Sequence, residues 1–163
     1  MNTTQPPRPA LTIRTATIDD ADAIGSMVDE FRSYLNGLGD LDACVNFGSE
    51  PYRRDGFGED PAFSGLIAQL GEEIVGYALY AFDYSTDSGA RTMFLHDLFV
   101  RGAHRGKGIG EALMSRLSEI CRTAGVHSLT WLVWHTNESA IRFYEKLGAR
   151  AIDTVRLMRL KID

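Results

Sequence analysis

The run Val100-Arg101-Gly102-Ala103-His104-Arg105-Gly106-Lys107-Gly108-Ile109-Gly110 joins an apolar, strand-like segment to an amphipathic, helix-like one. Glycines at alternate positions let the backbone come close to a ligand. The start of a helix adds unpaired N–H groups and the positive end of its dipole. Such a turn suits an anion, above all a diphosphate. Two competing phosphate motifs do not fit. A dinucleotide fingerprint needs glycine where Glu111 stands, and a Walker A loop begun at Gly102 needs it at Lys107. The plain alternative is a glycine-rich turn with no ligand. Just upstream, His96 and Asp97 interrupt the otherwise apolar run Thr92–Val100. A histidine is largely neutral near pH 7 and can accept a proton, and a buried aspartate needs a partner.

Periodicity supplies the elements that must position these groups. Residues 11–17 alternate as a first strand, and Asp19 or Asp20 opens a helix striped with Ile24, Met27, Val28, Phe31 and Leu35. Residues 40–61 read as a long loop holding at most a short helix. Phe63–Leu70 and Ile74–Phe82 flank a hairpin turn. Thr92–Val100, apolar on both faces, belongs in the middle of a sheet. After the glycine turn, a helix with Leu113, Leu117, Ile120 and Cys121 on one side runs to Gly125. Ser128–Trp134 gives a strand, about Asn137–Leu147 a helix, and Thr154–Lys161 a last strand. Strict alternation sets Asp97 on the opposite face from His96. The spacing of Trp131 and Trp134 suggests a bulge between them. The expected fold class is mixed α/β, ordered βα(loop)βββαβαβ, with a mostly antiparallel central sheet flanked by helices. Residues 1–10 read as a flexible lead and 11–163 as one domain.

The chain has 163 residues, a net charge of −5 and a pI near 5.3. That balance disfavours nucleic acid as a partner, since phosphate binding needs a positive field. No apolar stretch approaches the roughly 20 residues that span a bilayer, so no membrane is expected. The first residues lack the pattern of a secretory leader. Cys44 and Cys121 have no metal-ligand spacing, and Cys121 falls on an apolar helix face as packing. A cytoplasmic location without a bound metal is the expectation.

Arg105-Gly106-Lys107-Gly108-Ile109-Gly110 resembles the R/Q-x-x-G-x-G/A signature of the GNAT superfamily of N-acetyltransferases, and the element order is similar to theirs. Asn137-Glu138-Ser139-Ala140-Ile141-Arg142-Phe143-Tyr144, running on to Gly148-Ala149, is similar to a second segment of that family. Asp55-Gly56-Phe57-Gly58-Glu59 and Leu95–Val100 resemble the diamine (spermidine/spermine) and thialysine branch, over roughly residues 11–163. The resemblance implies acetyl-CoA as co-substrate, bound by Arg105, Gly106, Lys107, Gly108, Ile109, Gly110 and Glu111 at its diphosphate. It further implies that Leu98, Phe99 and Val100 line its arm, with Asn137, Ala140 and Tyr144 also at the cofactor. The acceptor would be a small-molecule amine of diamine or polyamine type, and the assembly a homodimer.

Transfer to an amine needs a held thioester, a neutral amine, a stabilised oxyanion and a protonated thiolate. Tyr144 matches the family's general acid. His96 stands where polyamine-acetylating relatives commonly carry a glutamate base, and is either a base or a structural histidine. Tyr34, Glu59, His96, Asp97 and Trp131 are the candidate acceptor-binding residues; packing is the alternative for Trp131, and a structural or dimer contact for Asp97. Leu35 replaces an acid of the polyamine branch, and the turn Ser85-Thr86-Asp87-Ser88 lacks an aromatic found there. Those losses point to a shorter or less charged amine, with amino acids or lysine-like compounds as the second acceptor class. A non-catalytic acyl-CoA-binding module is the alternative from another class.

Overall fold

Five short apolar segments pair into one sheet in the order β1-β2-β3-β4-β5 in the computed structural model, which describes residues 9–39 and 46–162. They are β1 (Leu11–Thr15), β2 (Ser64–Leu70), β3 (Glu73–Ser85), β4 (Ala90–Val100) and β5 (Ser128–Trp131). The first three pairings are antiparallel and β4–β5 is parallel. β4 is thus interior, as its two-faced hydrophobicity requires. The helices are α1 (Ala21–Gly37), α2 (Glu50–Gly56), α3 (Ile109–Thr123) and α4 (Glu138–Lys146). The class is mixed α/β, as expected. The chain divides into two compact units, Met1–Leu132 and Val133–Asp163.

In the first unit, Ile24, Met27 and Val28 of α1 bury against Ile67, Tyr77, Leu79 and Phe99 of the sheet. Burying such side chains contributes about 1.5–3 kcal/mol each. Leu113, Leu117 and Cys121 of α3 are also buried, and the Cys121 thiol lies 3.6 Å from the Met93 sulfur. Cys121 is packing, as expected. Cys44 and most of the lead, residues 1–8, lie outside the described residues, as does part of the expected long loop.

The start of α1 is tied to β1 through Asp20, which is only 4% exposed. Arg14 donates to both carboxylate oxygens at 2.7 Å, and the Thr17 N–H donates at 2.8 Å. These donors, Arg14 foremost, hold the carboxyl below the usual aspartate range. A depressed folded-state pKa means that the stabilisation is present above the unfolded value and lost as pH falls through the folded one. Asp20→Asn is expected to cost roughly 1.5–3 kcal/mol at pH 7. Urea midpoints measured from pH 7 down to pH 3 should converge for the two proteins at the acid end; a constant gap would reject the charge-based account.

Two elements depart from the sequence expectation. Residues 149–162 form no strand, and Ile152, Val155, Leu157, Met158, Leu160 and Ile162 are exposed. Alternating apolar residues confer propensity, but a strand needs a neighbouring edge to take its N–H and C=O groups. Likewise β5 ends at Trp131, so Trp134 lies beyond the strand, and no bulge separates the two. β5 pairs with β4 over Thr92–Leu95, and among the described residues its ladder ends at Trp131.

Candidate active site

The glycine turn has the shape its sequence demands. After β4 a short 3-10 turn, Gly102–His104, leads into Gly106 at φ +72° and Gly108 at φ +79°. Both lie in the left-handed region, which side chains with a Cβ rarely adopt. A Cβ built on either meets nothing within 4 Å, so the turn is open on that side. Gly108 occupies the N-cap of α3, its carbonyl accepting from Ala112 N–H at 2.9 Å. The first-turn N–H groups of Ile109, Gly110 and Glu111 therefore have no acceptor within the helix. Open backbone, free donors and a helix dipole fit a diphosphate.

Side chains hold this turn from behind. The Arg105 Nε donates to the Val100 carbonyl at 2.9 Å, and its guanidinium carbon lies 4.9 Å from the Tyr34 ring centre and 5.3 Å from that of Phe99. Arg101 pairs with Glu30 of α1 at 2.7 Å, and Lys107 Nζ donates to the Ala103 carbonyl at 2.9 Å. Arg105 thus ties loop to strand and stacks on Tyr34, a role that the motif alone did not reveal.

The next feature is the outer edge of β4. β5 covers it only as far as Leu95, while β3 pairs with Leu98, Phe99 and Val100 on the other side. Among the described residues, no strand covers the outer edge of those three, which fits the amides of an extended ligand arm.

His96 is the hinge of the site. β3 and β4 slip by one residue where Leu79 faces Asp97 and Tyr80 faces Leu95, leaving His96 as the extra residue of a β-bulge. The bulge overturns the alternation expected for this pair. Leu95 packs on the α3 side with Met93, whereas Asp97, after the slip, shares the α1 face with Leu79 and Phe99. His96 is exposed, its ring 5.2 Å from Phe94, and desolvation lowers its pKa below 6.5. Desolvation pushes the Asp97 carboxyl up to about 6, opposed by a hydrogen bond from Tyr77 and by the charge of Arg32.

Trp131 closes β5 opposite Leu95, one residue from the bulge along β4, and is half-buried. Tyr34 is drawn to the loop through Arg105. Glu59 stands exposed in the turn after α2. Sequence reasoning missed the groups around Asp97. Tyr77 of β3 and Tyr52 of α2 are buried or half-buried phenols, and a phenol in an apolar run signals a hidden acceptor.

In the second unit, buried Asn137 caps α4 by accepting from Ala140 N–H at 3.2 Å. Gly148, at φ +89°, closes the far end, and Ala149 N–H bonds back to the Tyr144 carbonyl at 3.1 Å. Tyr144 is half-buried on this helix, its ring 5.0 Å from that of Phe143.

Comparison with known proteins gives a coherent picture. The family model described as "Acetyltransferase (GNAT) family" matches residues 28–149. A thialysine N-epsilon-acetyltransferase of Sus scrofa is 35% identical over 85% of this chain and 83% of its own length. The spermidine/spermine N(1)-acetyltransferase-like protein 1 of Homo sapiens is 31% identical over 84% of this chain but only 20% of itself. Among solved structures, an integron cassette protein from the V. cholerae mobile metagenome superposes with a TM-score of 0.76 at 26% identity, over 94% of this chain and 93% of that one. With the glycine turn, the bulged strand and the family match all in one chain, the protein belongs to the GNAT family and is an N-acetyltransferase.

Proposed function

We propose that this enzyme carries the acetyl group of acetyl-CoA directly to the primary amine of a small diamine- or polyamine-like molecule, within a ternary complex. The observation that carries the reading is the open, two-glycine turn at the start of α3, beside a strand edge that no strand among the described residues covers and a bulge bearing His96. Bound there, acetyl-CoA supplies an activated thioester carbonyl.

The chain's own groups would do the rest. Main-chain donors from Gly106 to Glu111 hold the diphosphate, and the outer edge of Leu98, Phe99 and Val100 holds the amide-bearing arm. The same edge would offer an N–H to the thioester oxygen as it gains charge. His96, an imidazole largely neutral near pH 7 whose pKa partial desolvation lowers further, can take the proton that the attacking amine must lose. Tyr144, with Asn137 and Ala140 at the start of its helix, returns a proton to the departing sulfur. Tyr34, Glu59, Asp97 and Trp131 form the acceptor side.

Lysine-like amino acids are the second acceptor class. The specific support is the pig relative, named for thialysine, together with Leu35 where the polyamine branch has an acid. A cytoplasmic homodimer is the accompanying proposal, supported by the exposed apolar residues Val155, Leu157, Met158 and Leu160 of the second unit. The test is thiol release from acetyl-CoA with diamines, polyamines, lysine analogues and amino acids in parallel. Release with diamines or polyamines above all is expected. Tight cofactor binding with no thiol from any of them would make the chain an acyl-CoA-binding module instead.

A further inference from the structure

Side chains from four elements gather about Asp97 once the bulge has turned it toward α1. Tyr77 of β3, fully buried, donates its hydroxyl to Asp97 Oδ2 at 3.3 Å. Tyr52 of α2 lies in the field of both Asp97 and Asp29, which with burial push its phenol up to about 12. α1 contributes Arg32, a nearby cation, and Asp29, whose Oδ1 is buried and accepts no hydrogen bond among the described residues. His96 is the neighbour along β4 itself. The reaction as set out above uses neither tyrosine.

Tyr77 is the informative one. Its ring lies among the core side chains, 6.2 Å from that of Phe99, a place phenylalanine would fill equally well. Only the hydroxyl distinguishes it, and a buried hydroxyl requires an acceptor; here that acceptor is a carboxylate at the edge of the acceptor side. We propose that Tyr77 is a positioning residue, its hydroxyl holding the Asp97 carboxylate ionised and aimed as counter-ion for the acceptor's ammonium, so that Asp97 and not His96 governs the acid side of the enzyme's pH dependence. The inference rests on the acetyl-transfer reading.

The direction follows from the charges. Burial resists ionisation of Asp97, while Tyr77 and Arg32 favour it. Removing the hydroxyl leaves desolvation less opposed, so the carboxyl titrates at higher pH and the ammonium loses its counter-ion earlier on acidification. The acceptor's own proton, leaving near pH 10, belongs to the opposite limb.

The experiment measures kcat/KM for the best amine of the panel from pH 5 to pH 9. Tyr77→Phe is expected to move the acidic limb upward by roughly one unit and to raise KM for the amine about twofold at pH 7 and roughly tenfold at pH 5. Asp97→Asn should replace the limb by a lower one set by His96 alone, and adding Tyr77→Phe to it should change nothing further, as a pair acting in series requires. His96→Ala should lower the rate while the limb stays. Calorimetry with acetyl-CoA checks that each variant still folds. An unmoved limb and KM in Tyr77→Phe, or a limb that vanishes in His96→Ala, would overturn the proposal. Should no amine release thiol, the transfer reading fails by itself. Carbon-13 NMR titration of the Asp97 carboxyl in wild type and Tyr77→Phe then decides this one: an upward shift supports it, an unchanged midpoint overturns it.

Discussion

Tyr144→Phe is expected to lower turnover by roughly 10²–10⁴ at saturating substrates, the usual worth of a positioned proton donor, with little change in acetyl-CoA affinity. The chemistry sets this scale. A phenol gives up its proton near pH 10 and a thiol near pH 8.5, so the transfer is uphill by about 2 kcal/mol; a tyrosine in contact with the departing sulfur would lend its proton while the carbon–sulfur bond breaks and regain one from solvent. Water can do so as well, since thiolates are fair leaving groups, and the low end of the range is where that competition would leave the variant. The helix that carries the phenol is well fixed, with Asn137 capping its start and the Ala149 N–H bonding to the Tyr144 carbonyl. Phenylalanine keeps the ring's shape and its contact with Phe143, so helix geometry should survive. Thiol-release kinetics give kcat, and calorimetry gives the cofactor Kd. A variant that turns over like the wild type would remove Tyr144 from the proton path, whereas a matched loss in affinity would make it a binding residue only.

What could be read from residues alone divides along a physical line. The glycine turn was legible because its requirements are local: left-handed φ at Gly106 and Gly108 calls for glycine wherever the rest of the chain lies. The stripe Ile24, Met27 and Val28 was legible because burial on one face imposes the helical period. The bulge at His96 was not, since it is a property of two strands. It exists only because Leu79 and Tyr80 of β3 take Asp97 and Leu95 as partners, and neither strand's own pattern records that slip. The Tyr77–Asp97 bond depends on the same register, so the phenol and the carboxyl each looked like an isolated polar residue in an apolar run. At the C-terminal end the failure runs the other way. Val155, Leu157 and Leu160 advertise a strand, but pairing is decided by an available edge.

In the proposed reaction, the bulge would let one strand serve both halves. Before it, β4 lies between β3 and β5 and sends Leu95 into the core under α3; after it, among the described residues, the strand pairs with β3 alone and sends Asp97 toward α1. On the proposed reading, one inserted residue would therefore free an edge for the donor's arm and turn a carboxylate toward the acceptor. It leaves His96 exposed, between the two proposed sites.

Gly108→Ala should separate the two ends of the donor site. At φ +79° an alanine is strained by about 1–2 kcal/mol, and its methyl would stand in open space beside the first N–H groups of α3. Strain alone lowers stability; only the methyl's position lowers affinity. Each charge-assisted hydrogen bond lost is worth about 1.5–3 kcal/mol, so a drop of roughly 10–100-fold in acetyl-CoA affinity is expected. Gly89→Ala supplies the control. Gly89 has φ +61° with free space around it in the β3–β4 turn, so the substitution should cost similar stability and leave affinity alone. The sharper comparison changes the ligand. With acetyl-pantetheine, which lacks the diphosphate, Gly108→Ala and the wild type should transfer acetyl at the same rate, because nothing remains for the turn to hold. If the variant were equally impaired with the truncated donor, the glycine would matter only for the fold, and the diphosphate would have to be held elsewhere.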